Sequence, residues 1–187
     1  MTLALAAPER IETDRLVLRK PRRDDAERIF TRYASDPHVA RYMGFTRHES
    51  IEATTGFLDR NEGEWARTGA GAYVIETRDE ETFLGGTGLH VETARRAATG
   101  YVLARDAWGH GYATEAMTAI ASLAPELGIV RLYAYTHTEN RASWRVLEKC
   151  GFEREGVLRK HFVFPNLGSD PLDVFVYARI FTPAASR

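Results

Sequence analysis

Residues 109–114 read Gly-His-Gly-Tyr-Ala-Thr. Small residues at this spacing let a backbone curl tightly and let a ligand approach it closely. The segment falls between a strand pattern and a helix pattern. Its amides and the following helix N-terminus then aim free N–H donors at one spot, which is the chemistry of a pyrophosphate site. The donors are main-chain, so local net charge matters little. The same spacing fits equally a glycine turn that only caps a helix. A dinucleotide-binding fingerprint fails, because Thr114 stands where a third small residue is needed, and no Gly-Lys-Ser/Thr completes a P-loop.

A second group begins at Asn140, a good N-cap that can also hydrogen-bond a ligand amide. Ser143 lies one turn further along the same side of the helix, either as a solvent-facing hydroxyl or as a ligand contact. Cys150 precedes the helix-ending Gly151 without an obvious activating partner and reads as a buried, inert thiol. The six histidines show no metal-ligand spacing, so no metal is expected.

These residues need elements to position them. Residues 15–19 alternate as a first strand, and Asp24 and Asp25 open a helix with Ala26, Ile29, Phe30 and Tyr33 on one face. Residues 49–67 read as another helix, weakened by Gly56 and Gly63 and broken at Gly69. Residues 73–75 and 83–91 suggest a hairpin, loosened by Gly85, Gly86 and Gly88. A polar loop at 93–97 leads to a strand at 100–103, then to the glycine segment and a helix closed by Gly128. Strands at 130–135, 152–158 and 174–180 follow, with a helix at 140–150. Early hairpins and a later strand–helix–strand predict an α/β (α+β) domain with a mixed sheet.

Across 187 residues, 25 Lys and Arg against 26 Asp and Glu leave a net charge of −1. That balance argues against a broad basic field for nucleic acid, while allowing a local basic patch. One cysteine excludes an intramolecular disulfide and a multi-cysteine zinc site. No run approaches the roughly 18 apolar residues of a membrane helix. The apolar start has no positive leader, so a cytoplasmic protein without a membrane partner is expected. Residues 1–10 and 182–187 read as tails around one domain, 11–181.

Together the two motifs resemble the GNAT superfamily of acyl-CoA N-acyltransferases, and within it the ribosomal-protein alanine/serine N-terminal acetyltransferase branch. The matching stretches are Trp-Gly-x-Gly-Tyr-Ala-Thr-Glu-Ala at 108–116 and Asn140, Ser143, Glu148, Lys149, Gly151 and Phe152. Residues 13–19 and Tyr177-Ala178-Arg179 are similar too, so the resemblance spans about residues 11–181.

It implies a GNAT fold with a central sheet of six to seven strands flanked by helices. It implies acetyl-CoA as cosubstrate and direct acetyl transfer to a primary amine, either a peptide N-terminus or a small molecule. It also implies that Leu103 offers main-chain bonds to the pantetheine arm, and that amides around Gly109, His110, Gly111, Ala113 and Thr114 hold the pyrophosphate. Asn140 would bind the pantetheine, and Ser143 would hydrogen-bond or protonate the leaving thiolate. Trp108 reads as packing under the loop. By analogy, a homodimer is expected.

The general base breaks the pattern. Relatives often carry Glu two residues before the central-strand glycine, where Ala98 stands, or on the strand after the Gly-Phe pair, where Phe162 stands. His90, Glu92 and His161 remain as candidates. The acceptor pocket is expected from the early helices and residues 37–45, with Phe162 and Phe164 opposite. An acetylator of antibiotics or other small metabolites is an alternative, and a CoA-binding module without catalysis is another.

Overall fold

The computed structural model describes residues 5–182. One sheet carries eight strands: β1 (Arg10–Glu12), β2 (Leu16–Arg19), β3 (Ala72–Thr77), β4 (Phe83–Thr93), β5 (Arg96–Leu103), β6 (Arg131–His137), β7 (Glu153–Val163) and β8 (Pro171–Ile180). Their order is β1-β2-β3-β4-β5-β6-β8-β7. Every neighbouring pair is antiparallel except β5–β6, so the sheet is mixed. The helices are α1 (Ala26–Ile29), α2 (Pro37–Ala40), α3 (Ile51–Thr68), α4 (Tyr112–Glu126) and α5 (Arg141–Lys149). None of the described helices is long and apolar enough to cross a membrane.

The helices divide between the two faces. Thr87 reaches the Met117 sulfur at 3.5 Å, so Thr87, Leu89 and Val91 of central β4 face α4. The larger core lies there, with Leu16, Leu18, Ile75, Met117, Ile120 and Leu132. Gly86, on the opposite face, has the Tyr33 hydroxyl above it. Ile29, Tyr33, Leu58, Val74 and Phe83 form the smaller core on that side.

Three expectations need correction. The sheet has eight strands, not six to seven, because three-residue β1 is too short to alternate visibly. Part of the expected N-terminal tail is tied down: Leu5 and Ala7 donate to the Thr68 and Gly69 carbonyls, and the Tyr73 hydroxyl donates to Pro8. Residues 1–4 and 183–187 lie outside the described residues. The expected loop at 93–97 is a tight turn, since Thr93 already pairs with Arg96. The expected helix at 49–67 forms as α3, which runs 18 residues through both glycines because Leu58, Asn61 and Trp65 bury one continuous stripe. Gly69 then closes it with φ at 71°.

The first helical segment is anchored by charge. Arg19 on β2 bridges Asp25 at 2.7 Å and Glu76 on β3 at 2.8 Å, and Arg28 also reaches Glu76 at 2.7 Å. Behind this anchor the chain widens into a π-helical turn, Phe30–Ala34, that carries Tyr33 over the sheet. Burial works to raise the Asp25 carboxyl, but bonds from Arg19 and the Arg22 amide outweigh it and hold it below its ordinary range. A carboxyl lowered by folding adds stability above its unfolded pKa, about 3.9 for Asp, and loses it as pH falls through the folded value. Asp25→Ala is therefore expected to cost about 3 kcal/mol at neutral pH, or roughly 6–12 °C in Tm. In thermal unfolding across pH, the gap from wild type should narrow below about pH 4.

Candidate active site

The strands β5 and β6 stay together for only three parallel pairs, Arg96↔Arg131, Ala97↔Leu132 and Ala98↔Tyr133. Beyond them β5 remains on β4 as far as Leu103, and β6 remains on β8 as far as His137. A gap therefore opens in mid-sheet. The Ala104 amide donates to Leu84 at 2.8 Å, which sets the alternation along β5. Val102, Gly100 and Ala98 bond to β4, while Thr99, Tyr101 and Leu103 turn their main-chain groups toward the gap. The Leu103 carbonyl accepts the Trp108 indole N–H at 2.9 Å. Trp108 is thus a half-exposed brace across the loop and does not pack beneath it.

The end of β5 leads through a short 3-10 turn (Arg105–Ala107) into the glycine segment. Gly109 and Gly111 adopt φ of 82° and 81°, a conformation that side chains disfavour. Gly111 caps α4 with no side-chain bond. The first amides of α4, including Ala113 and Thr114, therefore point outward without intrahelical partners. Arg15 joins the loop from far away in sequence. Its guanidinium donates to the His110 carbonyl at 3.0 Å and to Glu115 at 2.7 Å, and it lies 4.7 Å above the Tyr112 ring. Burial tends to raise the Glu115 carboxyl, but bonds from Thr13 and Arg15 prevail and keep it below its ordinary range. Arg15, paired with ionised Glu115, thus braces the loop against the start of β2.

On the far bank, α5 starts directly after β6. The Asn140 side chain caps it by accepting from the Ser143 amide at 3.2 Å. Asn140, Ser143 and Leu147 line the gap. Ser143 stands beside Tyr101, whose hydroxyl is pushed up to about 12 by burial, with Ser143 pulling the other way. Cys150 is buried and its thiol is raised by burial. It donates to the Thr114 carbonyl at 3.4 Å, which joins α5 to α4.

On the α3 face the gap widens into a cleft of about 620 Å³. Gly86, Gly88 and Gly100 lay a floor without side chains, and a Cβ on Gly100 would meet nothing within 4 Å. Tyr42, Met43 and Phe45 form one wall, Phe162 and Phe164 another, and Phe57 comes from α3. The two walls are pinned together by Asn166. It donates to the Ala40 and Phe45 carbonyls at 2.7 and 2.8 Å and accepts from the Arg47 amide at 2.8 Å. Buried His137, wedged between the Tyr42 and Phe164 rings, accepts from the Glu139 amide at 3.1 Å. Burial lowers its pKa, so it sits there as a neutral spacer.

The three base candidates are not brought together. His90 lines the cleft, directly across from Ala98 on β5. Its Nδ1 lies 2.7 Å from Glu64 on α3, a short contact that is off the line of a straight hydrogen bond. Glu92 is already engaged by the Tyr133 hydroxyl and by Arg96 at 2.6 Å. The Tyr133 bond, more than any other influence, holds its carboxyl below the usual range. His161 is exposed at the edge of the Tyr135 ring. Neither Glu92 nor His161 is among the residues lining the cleft. Sequence reasoning missed Arg15, Glu64, Tyr101 and Asn166. Only Asn166, in a proline–glycine loop, carried a local signal, and that signal marked a turn.

Comparison with known proteins agrees with this geometry. Residues 15–153 match the family described as the acetyltransferase (GNAT) domain. The uncharacterized N-acetyltransferase YoaA of Bacillus subtilis is 36% identical over 171 residues, covering 90% of this chain and 94% of YoaA. A crystal structure of a GNAT-family acetyltransferase from Bacillus anthracis superposes with a TM-score of 0.80 at 28% identity, covering 91% of this chain and 98% of that one. RimL, a ribosomal L7/L12 alpha-N-protein acetyltransferase in complex with coenzyme A, superposes with a TM-score of 0.82. At 21% identity over 92% of this chain and 98% of RimL, that likeness speaks for the fold alone. The chain belongs to the GNAT family of N-acetyltransferases.

Proposed function

We propose that acetyl-CoA lies in the β5–β6 gap and that a neutral primary amine attacks its thioester from the α3-face cleft. The observation that carries this reading is the gap itself, with the amide cradle at its end and Asn140 and Ser143 along its bank. The cradle amides receive the pyrophosphate. The Tyr101 and Leu103 main chain, aimed into the gap, receives the pantetheine as an added strand would be received. A cytoplasmic setting belongs to the same reading.

The chemistry balances without a covalent enzyme intermediate. The amine nitrogen bonds to the acetyl carbon, and the carbonyl oxygen takes negative charge facing a β5 amide. The nitrogen then loses a proton to His90, whose ring lies against Glu64. As the carbon–sulfur bond breaks, Ser143 gives its proton to the thiolate and recovers one from solvent. A thiolate with pKa near 8.5 leaves readily, so a weak acid suffices. Holding both reactants on one rigid sheet supplies much of the rate.

Two measurements test this. Release of free CoA thiol from acetyl-CoA and a panel of amines should be seen, and Ser143→Ala should lower kcat about 100-fold while CoA still raises the melting temperature. Retained binding with no release on any amine would leave only a CoA-binding protein. For the base, His90→Ala should lower kcat/KM about 100-fold, and Glu64→Gln should give a smaller loss in kcat with KM unchanged. An unchanged kcat/KM in His90→Ala would exclude this base.

A further inference from the structure

We infer that the acceptor is a small primary amine bearing an uncharged aromatic or branched aliphatic group, seated in the α3-face cleft. The inference rests on the proposed acetyl transfer and names its substrate class. The cleft is shaped for such a group in two ways.

The first is its floor. Gly86, Gly88 and Gly100 give it depth where every other central position would carry a side chain. Yet the floor offers a ligand almost no hydrogen bonds. Gly86 pairs with Val102 and Gly88 with Gly100, in the alternation set by the Ala104–Leu84 bond, so their N–H and C=O groups are spent between β4 and β5. A peptide laid on this surface would bury its own amides without partners, which is costly. An apolar group loses nothing there.

The second is its walls. Tyr42, Met43, Phe45, Phe57, Phe162 and Phe164 present rings and a thioether. The Phe162 and Phe164 rings lie 5.0 Å apart and tilted, a spacing suited to edge and face contacts with a third ring. Among the polar groups nearby, His48 is buried, lies 2.7 Å from Thr54 and is kept neutral by burial. Arg60 also lines the cleft from α3, and its positive charge disfavours a second ammonium on the acceptor. Glu64 and His90 stand level with Ala98, where β5 and β6 part, while Phe162 belongs to the far end, near the His137 level of the sheet. The cleft therefore has one proton-accepting end and one apolar end. A second positive charge on the acceptor would fall in the apolar end, away from Glu64, the one carboxylate among the residues lining the cleft.

The test compares kcat/KM with acetyl-CoA for phenethylamine, isopentylamine, putrescine and a tetrapeptide beginning with serine. The two apolar amines should exceed putrescine and the tetrapeptide by about 100-fold, the scale on which a hydrophobic pocket discriminates. Gly100→Leu, whose side chain enters open space, should raise KM for phenethylamine at least 10-fold while CoA still raises the melting temperature. Phe162→Ala should lower kcat/KM for phenethylamine more than for isopentylamine. Equal rates across the four, or a preference for putrescine or the tetrapeptide, would overturn the acceptor assignment and leave acetyl transfer standing. No transfer to any of them, with CoA binding intact, would overturn the transfer reading and this inference with it.

Discussion

The site depends on one constraint: β5 and β6 are each committed to a different neighbour. β5 is held by β4 along its whole length, and β6 by β8, so the two halves of the sheet share only three parallel pairs before they diverge. Main-chain donors and acceptors in a protein interior must be satisfied. In the proposed reading, a ligand with its own amides takes the places of the missing strand. The proposed cofactor arm would then complement the sheet in hydrogen bonding before any side chain is considered.

Two small joints keep the halves from drifting apart. On the α4 face the Cys150 thiol bonds to the Thr114 carbonyl, and Thr118 reaches the same sulfur at 3.6 Å. On the α3 face Asn166 ties the loop after α2 to the loop between β7 and β8. The gap is thus bridged above and below while remaining open within the sheet. Cys150 has its place as a joint between helices, which accounts for a thiol that is both buried and chemically quiet.

What could be read from the chain follows from the range of each interaction. The cradle was legible because its requirement is local: a turn with left-handed φ at two positions needs glycine there, and the sequence has it at 109 and 111. The α5 cap was legible for the same reason, since Asn140 and Ser143 are three residues apart. The strand after the early hairpin was read too short, because Arg96, Ala97, Ala98 and Thr99 are polar or small and show no strand alternation, although Ala97 is buried in the core. Arg15 could not be read, since its partner His110 is 95 positions away. Glu64 and His90 meet only because α3 crosses β4, and no periodicity encodes that crossing. The aromatic residues were seen and their grouping anticipated, but whether they filled a core or lined a cleft turned on the glycines beneath them.

Those glycines also connect the fold to its chemistry. Gly88 cannot accept a Cβ, because the Gly71 carbonyl would lie 2.5 Å from it, so it is demanded by close strand packing. Gly100 faces open space and packing makes no such demand. A β-branched residue would ordinarily suit such a strand position better than glycine. Leaving it bare forgoes that gain, and what the protein keeps in exchange is depth in the cleft. Ala98, directly across from His90, is likewise short. In the proposed mechanism the reacting groups come from neighbouring strands and a facing helix, and the central strand itself contributes mostly space and backbone.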